Sequence, residues 1–157
     1  MADAAQRGFR VARGEDRFGA HYGLGFGALA FKVSTADSGG ALLVVELAHH
    51  AKGGPPRHLH HGQDEWFYVL EGAYILDVGQ ERFRLSPGDS VFAPREVPHC
   101  WAYVGEQPGR IAIVFTPAGR MEAFFGEISK ADGPAPQDPA FWPVYGMELV
   151  GPPLELG

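Results

Sequence analysis

His58-Leu59-His60-His61-Gly62-Gln63-Asp64-Glu65 places two imidazoles and a carboxylate within one short segment. Side chains two apart on an extended strand point to the same face, so His58 and His60 can both address one ion. Gly62 supplies a turn, and Glu65 then opens the strand that follows. A further imidazole stands downstream in Pro94-Arg95-Glu96-Val97-Pro98-His99. A small β-barrel would fold these segments into one site. Three neutral imidazoles and one carboxylate suit a borderline divalent transition metal rather than calcium or magnesium, and no thiolate is offered. Any one of these residues alone reads as a surface or hydrogen-bonded histidine, or a solvated glutamate. Four in register, framed by turn residues, read as a metal centre.

The framing residues recur at fixed offsets. Gly53, four residues, His58-Leu59-His60, four residues, Glu65, six residues and Gly72 make one motif. Gly88, five residues, Pro94-Arg95-Glu96, two residues, His99, three residues and Tyr103 make the other. The pair resembles the two motifs of the cupins. The opening glycine stands one residue closer than in the family pattern, Glu96 replaces a turn glycine and Tyr103 replaces an asparagine; no ligand position is touched. The flanking text, Asp64-Glu65-Trp66-Phe67-Tyr68-Val69-Leu70-Glu71-Gly72 and Pro87-Gly88-Asp89-Ser90-Val91-Phe92-Ala93-Pro94, looks like that of single-domain quercetin 2,3-dioxygenase-like cupins. The resemblance runs over roughly residues 20–130.

It implies an all-β fold, a double-stranded β-helix or jelly-roll barrel of the cupin type, with a short C-terminal helix and an extended tail. It also implies one divalent transition metal ion (Fe, Mn, Ni, Co, Cu or Zn) held by His58, His60, Glu65 and His99, and a homodimer. In the relatives, the residue matching Glu65 is both ligand and base, taking the substrate proton so that the enolate becomes oxidisable. One fold hosts many chemistries, so the resemblance leaves the substrate open.

Composition narrows the class. A chain of 157 residues fits one hydrophobic core. With 22 glycines, 13 prolines and 45% hydrophobic residues, it reads as short strands joined by tight turns rather than as disorder. The net charge of −6 argues against a nucleic-acid partner, which needs a basic face. No apolar run reaches the roughly 18 residues of a membrane span. Met1 to Arg7 lacks the apolar core of a secretory signal, and the lone Cys100 excludes an internal disulfide; both point to the cytoplasm.

Along the chain, residues 1–20 read as a loosely held arm, 21–130 as the barrel with its helix, and 131–157 as a Pro-rich linker and an apolar tail. Strands are expected at Leu24–Val33, Ala41–Leu47 (buried on both faces), Glu65–Leu70, Ala73–Val78, Arg82–Leu85, Ser90–Ala93, His99–Val104 and Arg110–Thr116. Glu71-Gly72 reads as a hairpin turn. Thr116-Pro117 reads as an N-cap with a first-turn proline, and Met121, Phe124, Phe125 and Ile128 fall on one helical face. That stripe packs on the barrel or, alternatively, forms a lid over the pocket. Phe141, Trp142, Tyr145, Met147 and Leu149 make the tail too apolar to float in water, so it docks on its own barrel or on a neighbouring subunit.

Alternation extends inward from the ligands. Phe67 shares a face with Glu65, and Trp101 and Tyr103 share one with His99, so these three are the candidate pocket lining. His61, Asp64 and Cys100 alternate away from the ligands, and His21, His49 and His50 have no motif support. The expected function is a metal-dependent dioxygenase acting, with O2, on a small, partly apolar, enolisable substrate of flavonol or polyketide type. Glu65 is its base. The alternatives are a non-oxidative isomerase or cyclase at the same centre, or a non-catalytic small-molecule binding protein.

Overall fold

Alternating burial decides which face of each strand becomes the core. In the computed structural model, which describes residues 7–156, one sheet contains β1 (Tyr22–Gly23), β2 (Gly27–Val33), β3 (Leu43–His49), β5 (Asp64–Glu71), β8 (Ser90–Ala93) and β10 (Gly109–Thr116). Their order is β1-β2-β3-β10-β5-β8. The other sheet contains β4 (His58–His60), β6 (Tyr74–Val78), β7 (Glu81–Leu85), β9 (His99–Tyr103) and β11 (Met147–Leu149), in the order β11-β4-β9-β6-β7. Neighbouring strands run antiparallel. The two sheets close face to face as an all-β jelly roll.

Leu43, Val45 and Leu47 of β3, Phe67 and Val69 of β5, and Ile111, Ile113 and Phe115 of β10 point inward and are buried. Full burial of such a side chain stabilises by about 1.5–3 kcal/mol. The intervening residues face outward. Val44 and Glu46 are only half-buried, and Glu46 accepts from Arg110 Nε at 2.6 Å. β3 therefore buries one face, not the two that its run of branched residues suggested.

Glu71-Gly72 is not a hairpin turn. β5 pairs with β10 and β8, whereas β6 pairs with β7 and β9, so the chain crosses here from one sheet to the other. Gly72 has φ 84°, and a Cβ there would lie 2.9 Å from the Cα of Gly109, so only glycine fits the crossing. The hairpin forms one strand later, where Val78 pairs with Glu81 across Gly79-Gln80.

The helix α1 spans Met121–Ser129, starting later than Thr116-Pro117 predicts. Thr116 is the last residue of β10, paired with Asp64, and its hydroxyl donates to the Ala41 carbonyl at 3.2 Å, so it is not available as a cap. The tail continues through a 3₁₀ turn at Trp142–Tyr145 into β11, which pairs with β4. Residues 1–6 of the expected arm lie outside the described residues. The rest of the arm is tied down at Asp16, whose Oδ1 accepts from the Phe31 amide at 2.7 Å, and at the Arg17 amide, which donates to the Phe31 carbonyl at 2.8 Å.

Candidate metal centre

Three strands from both sheets deliver the four side chains. His58 and His60 project from the same face of β4, and His58 pairs directly with His99 on β9. Glu65 reaches across from β5 in the opposite sheet, where it pairs with Phe115 on one side and Ala93 on the other. The ligand atoms of His58, His60, Glu65 and His99 all lie within 4.8 Å of one another. None of the four is more than 5% exposed.

Their mutual geometry is that of groups crowding one point. Glu65 Oε2 lies 3.0 Å from His60 Nε2 and 2.9 Å from His99 Nε2. The angles are not those of hydrogen bonds: Glu65 Oε2 and both ring nitrogens of His60 and His99 have no hydrogen-bond partner. Each buried polar atom left so costs on the order of 1–3 kcal/mol. A cation at the shared point would satisfy several at once, so this donor set fits a transition metal. His58 is oriented from behind. Its Nδ1 donates to the Pro56 carbonyl at 2.7 Å, which leaves Nε2 as the acceptor aimed at the cluster.

Electrostatics favour the ligand forms. Burial, reinforced by His99 and His60, holds His58 well below the usual imidazole range, in the neutral form that coordinates metal. Burial alone would push the Glu65 carboxyl upward, but the adjacent His99 and His60 rings override it and hold Glu65 below the usual carboxylate range. Glu65 is therefore an anion at neutral pH.

A cavity of about 50 Å³ adjoins the cluster. Among the described residues, His58 and Glu65 are its only ionisable lining residues. The barrel contributes Leu24, Phe26, Leu47, Pro55, Trp101, Ile113 and Phe115; α1 contributes Met121, Phe124, Phe125 and Ile128; the tail contributes Ala135 and Trp142. Of the three aromatic residues expected to line the pocket, Trp101 does so. Phe67 and Tyr103 do not. Phe67 lies behind the wall with its ring edge-on to His99 and Trp101, at 5.9 and 6.3 Å, and Tyr103 stacks on His49 at 5.6 Å. The helical stripe is at once core packing and a wall of the cavity. Trp142, whose ring lies 4.9 Å from that of His58, gave no motif signal; only its place in an apolar tail hinted at docking.

His61, Asp64 and Cys100 lie outside the cluster. His61 is exposed and pairs with Glu96 at 2.9 Å, Asp64 accepts from Arg95, and the buried Cys100 thiol faces the Pro55 carbonyl. His49, which no motif supports, belongs to the core. It is buried among Phe26, Tyr74, Trp101 and Tyr103, and its Nδ1 hydrogen-bonds with the Tyr74 hydroxyl at 2.8 Å. Burial, helped by His50, lowers its pKa to about 4. The unfolded chain, at the ordinary value of about 6.5, binds the proton more readily. The neutral ring's contribution is thus complete above pH 6.5 and is lost as pH falls toward 4. Between pH 7 and 4.5, His49→Gln should lose about 2–3 kcal/mol less stability than wild type in urea unfolding. Parallel pH profiles would contradict this.

Residues 43–115 match the family model described as Cupin domain. Over that span the chain is similar to the cupins, and its two facing antiparallel sheets are consistent with a cupin-type jelly roll. The protein TT1209 from Thermus thermophilus is similar to it at 27% identity and TM-score 0.54, over 63% of this chain and 90% of that one. The polyketide cyclase RemF from Streptomyces resistomycificus, at 24% identity and TM-score 0.57 over 70% of this chain and 80% of that one, shares the cupin fold. Protein MJ1618 of Methanocaldococcus jannaschii is 32% identical over 54 residues, which cover 34% of this chain and 43% of that protein. The chain spans about half the length of the curated relatives it matches, 43% and 53%. No helix among the described residues is long and apolar enough to cross a membrane.

Proposed function

We propose that this protein is a cupin and a metal-dependent dioxygenase for a small, largely apolar, enolisable substrate, with Glu65 as both ligand and base. The observation that carries this reading is the position of Glu65, which belongs to the four-residue cluster and also lines the apolar cavity. A divalent ion held there would supply Lewis acidity and, where redox-active, electron transfer to O2. Glu65, anionic and next to the cavity, is placed to accept a proton from a hydroxyl or activated carbon of a bound molecule. The His58 ring cannot turn away while its Nδ1–H is held by Pro56. The carbon walls select a planar or aliphatic body and exclude water, which strengthens every charge interaction inside.

The test is O2 consumption by metal-loaded protein with flavonols and polyketide-type enols, expected to stop when the metal is chelated. Turnover without O2 uptake would make the same centre an isomerase or cyclase. Binding without turnover would make it a carrier.

The compartment we propose is the cytoplasm, supported by the free, buried Cys100. We also propose a homodimer, but not one built on the tail, which is spent on its own barrel through β11. Trp66 and Phe92, 39% and 55% exposed, pair across β5 and the edge strand β8, and Tyr68 stacks on Trp66. An exposed aromatic patch at a sheet edge is a self-association surface. Light scattering should report a dimer that Phe92→Glu dissociates; a wild-type monomer at high concentration would contradict it.

A further inference from the structure

The four ligand side chains are sealed, and the cavity beside them is far smaller than the roughly 300–1,000 Å³ of ordinary small-molecule pockets. Its outer wall is supplied by one stretch of chain, from α1 to Trp142. With that wall in place the four side chains are 1–5% exposed, and a substrate-sized molecule has no room beside Glu65. We propose that residues 120–145 are a hinged lid that swings about Gly119 and Gly146 to admit metal and then substrate. The lid's function, though not its movement, rests on the four side chains being a metal centre.

Both hinges sit at one place. Gly119 has φ 53° and Gly146 has φ 76°, left-handed conformations that favour glycine. The chain is anchored just outside each of them to the turn between β4 and β5. Gln63 Nε2 donates to the Pro117 and Ala118 carbonyls at 2.7 and 2.9 Å, and the His61 amide donates to the Gly146 carbonyl at 2.9 Å. Beyond Gly146, β11 is fixed in the sheet. A segment whose two ends are pinned side by side can rotate as a flap without disturbing the strands that carry the ligands.

Between the hinges the segment holds together as a unit. Phe124 packs against Phe141, Trp142 and Tyr145 with ring centroids at 5.7, 5.2 and 5.5 Å. Near the hinge, Arg120 donates to the Val144 carbonyl at 2.5 Å and its guanidinium lies 5.2 Å over the Tyr145 ring. The hold on the barrel is mainly apolar, with the Phe125 ring 6.4 and 5.8 Å from those of Phe31 and Phe115. α1 has nine residues, no side-chain cap and no basic residue in its last turn, so little beyond its apolar face keeps it in place. One polar latch joins it to the loop after β2: the Thr35 amide donates to Glu122 Oε1 at 2.9 Å. Movable lids are drawn from such low-stability elements.

Glu122→Ala removes the latch without touching the cavity, the ligands or the hinges. Stopped-flow absorbance should show Co²⁺ capture, and Co²⁺ release to a chelator, both roughly tenfold faster than in wild type. The dissociation constant should not change, because the latch is closed in both the free and the loaded protein. Unchanged rates, or a weaker dissociation constant with no faster capture, would overturn the lid. A second measurement needs no metal: hydrogen exchange of the metal-free protein. Amides of α1 should exchange well before those of β5, β9 and β10, and Glu122→Ala should speed α1 alone. Protection of α1 equal to that of the strands would overturn the lid. Failure of wild type to bind Co²⁺ would refute the metal reading instead, and hydrogen exchange would still decide the movement.

Discussion

Metal-loaded Glu65→Gln protein should turn over roughly 10²–10⁴-fold more slowly than wild type, the usual worth of general base catalysis. The substitution preserves volume and an oxygen ligand and removes the negative charge with nearly all the basicity. The effect is large because Glu65 is buried, anionic and in contact with the cavity, so no water can substitute as base there without first entering an apolar space. Two sheets fix its backbone position relative to the three imidazoles: β5 pairs with β10 and β8, while β4 and β9 carry the rings. Retained metal with lost turnover would support the double role. Wild-type turnover by the loaded variant would refute the base and leave Glu65 a ligand only.

Removing one imidazole should abolish tight metal binding. His99 is 1% exposed and faces Glu65 Oε2 at 2.9 Å, so His99→Ala leaves a gap in the shell that solvent cannot readily fill. Even changes outside the ligand shell cost 10–100-fold in affinity, so the loss of a ligand should exceed about 100-fold. Stability gives an independent readout. An ion at a thousand times its dissociation constant adds about 4 kcal/mol. For a domain of this size that is on the order of 10 °C in Tm. Wild type should show this rise on metal addition and lose it on chelation; His99→Ala should show neither. A thermal shift of equal size in the variant would place the ion elsewhere.

The sequence revealed most where structure is local. His58 and His60 on one face, the turn at Gly62 and the helical stripe from Met121 to Ile128 follow from strand and helix periods alone. What depends on the meeting of distant segments was hidden. Nothing near Glu71-Gly72 signals a change of sheet, because the strand partners that decide it lie further along, at residues 81–116. The hydroxyl of Thr116 could have capped a helix, and only its role as the last residue of β10 excludes that. His49 ends a strand and has no motif support; its burial depends on Phe26, Tyr74 and Tyr103 from three other segments. The cavity is the extreme case, since Leu24, Phe115 and Trp142 share it from opposite ends of the chain.

A single ion held between His58, His60, Glu65 and His99 can be seen directly. X-ray absorption and anomalous diffraction on protein loaded with a single equivalent of Co²⁺ test it together. The expected result is nitrogen and oxygen ligands at about 2.0–2.2 Å, with the anomalous peak between His58, His60, Glu65 and His99. An ion bound at another position, or a shell that lacks the Glu65 oxygen or any of the three imidazoles, would contradict it.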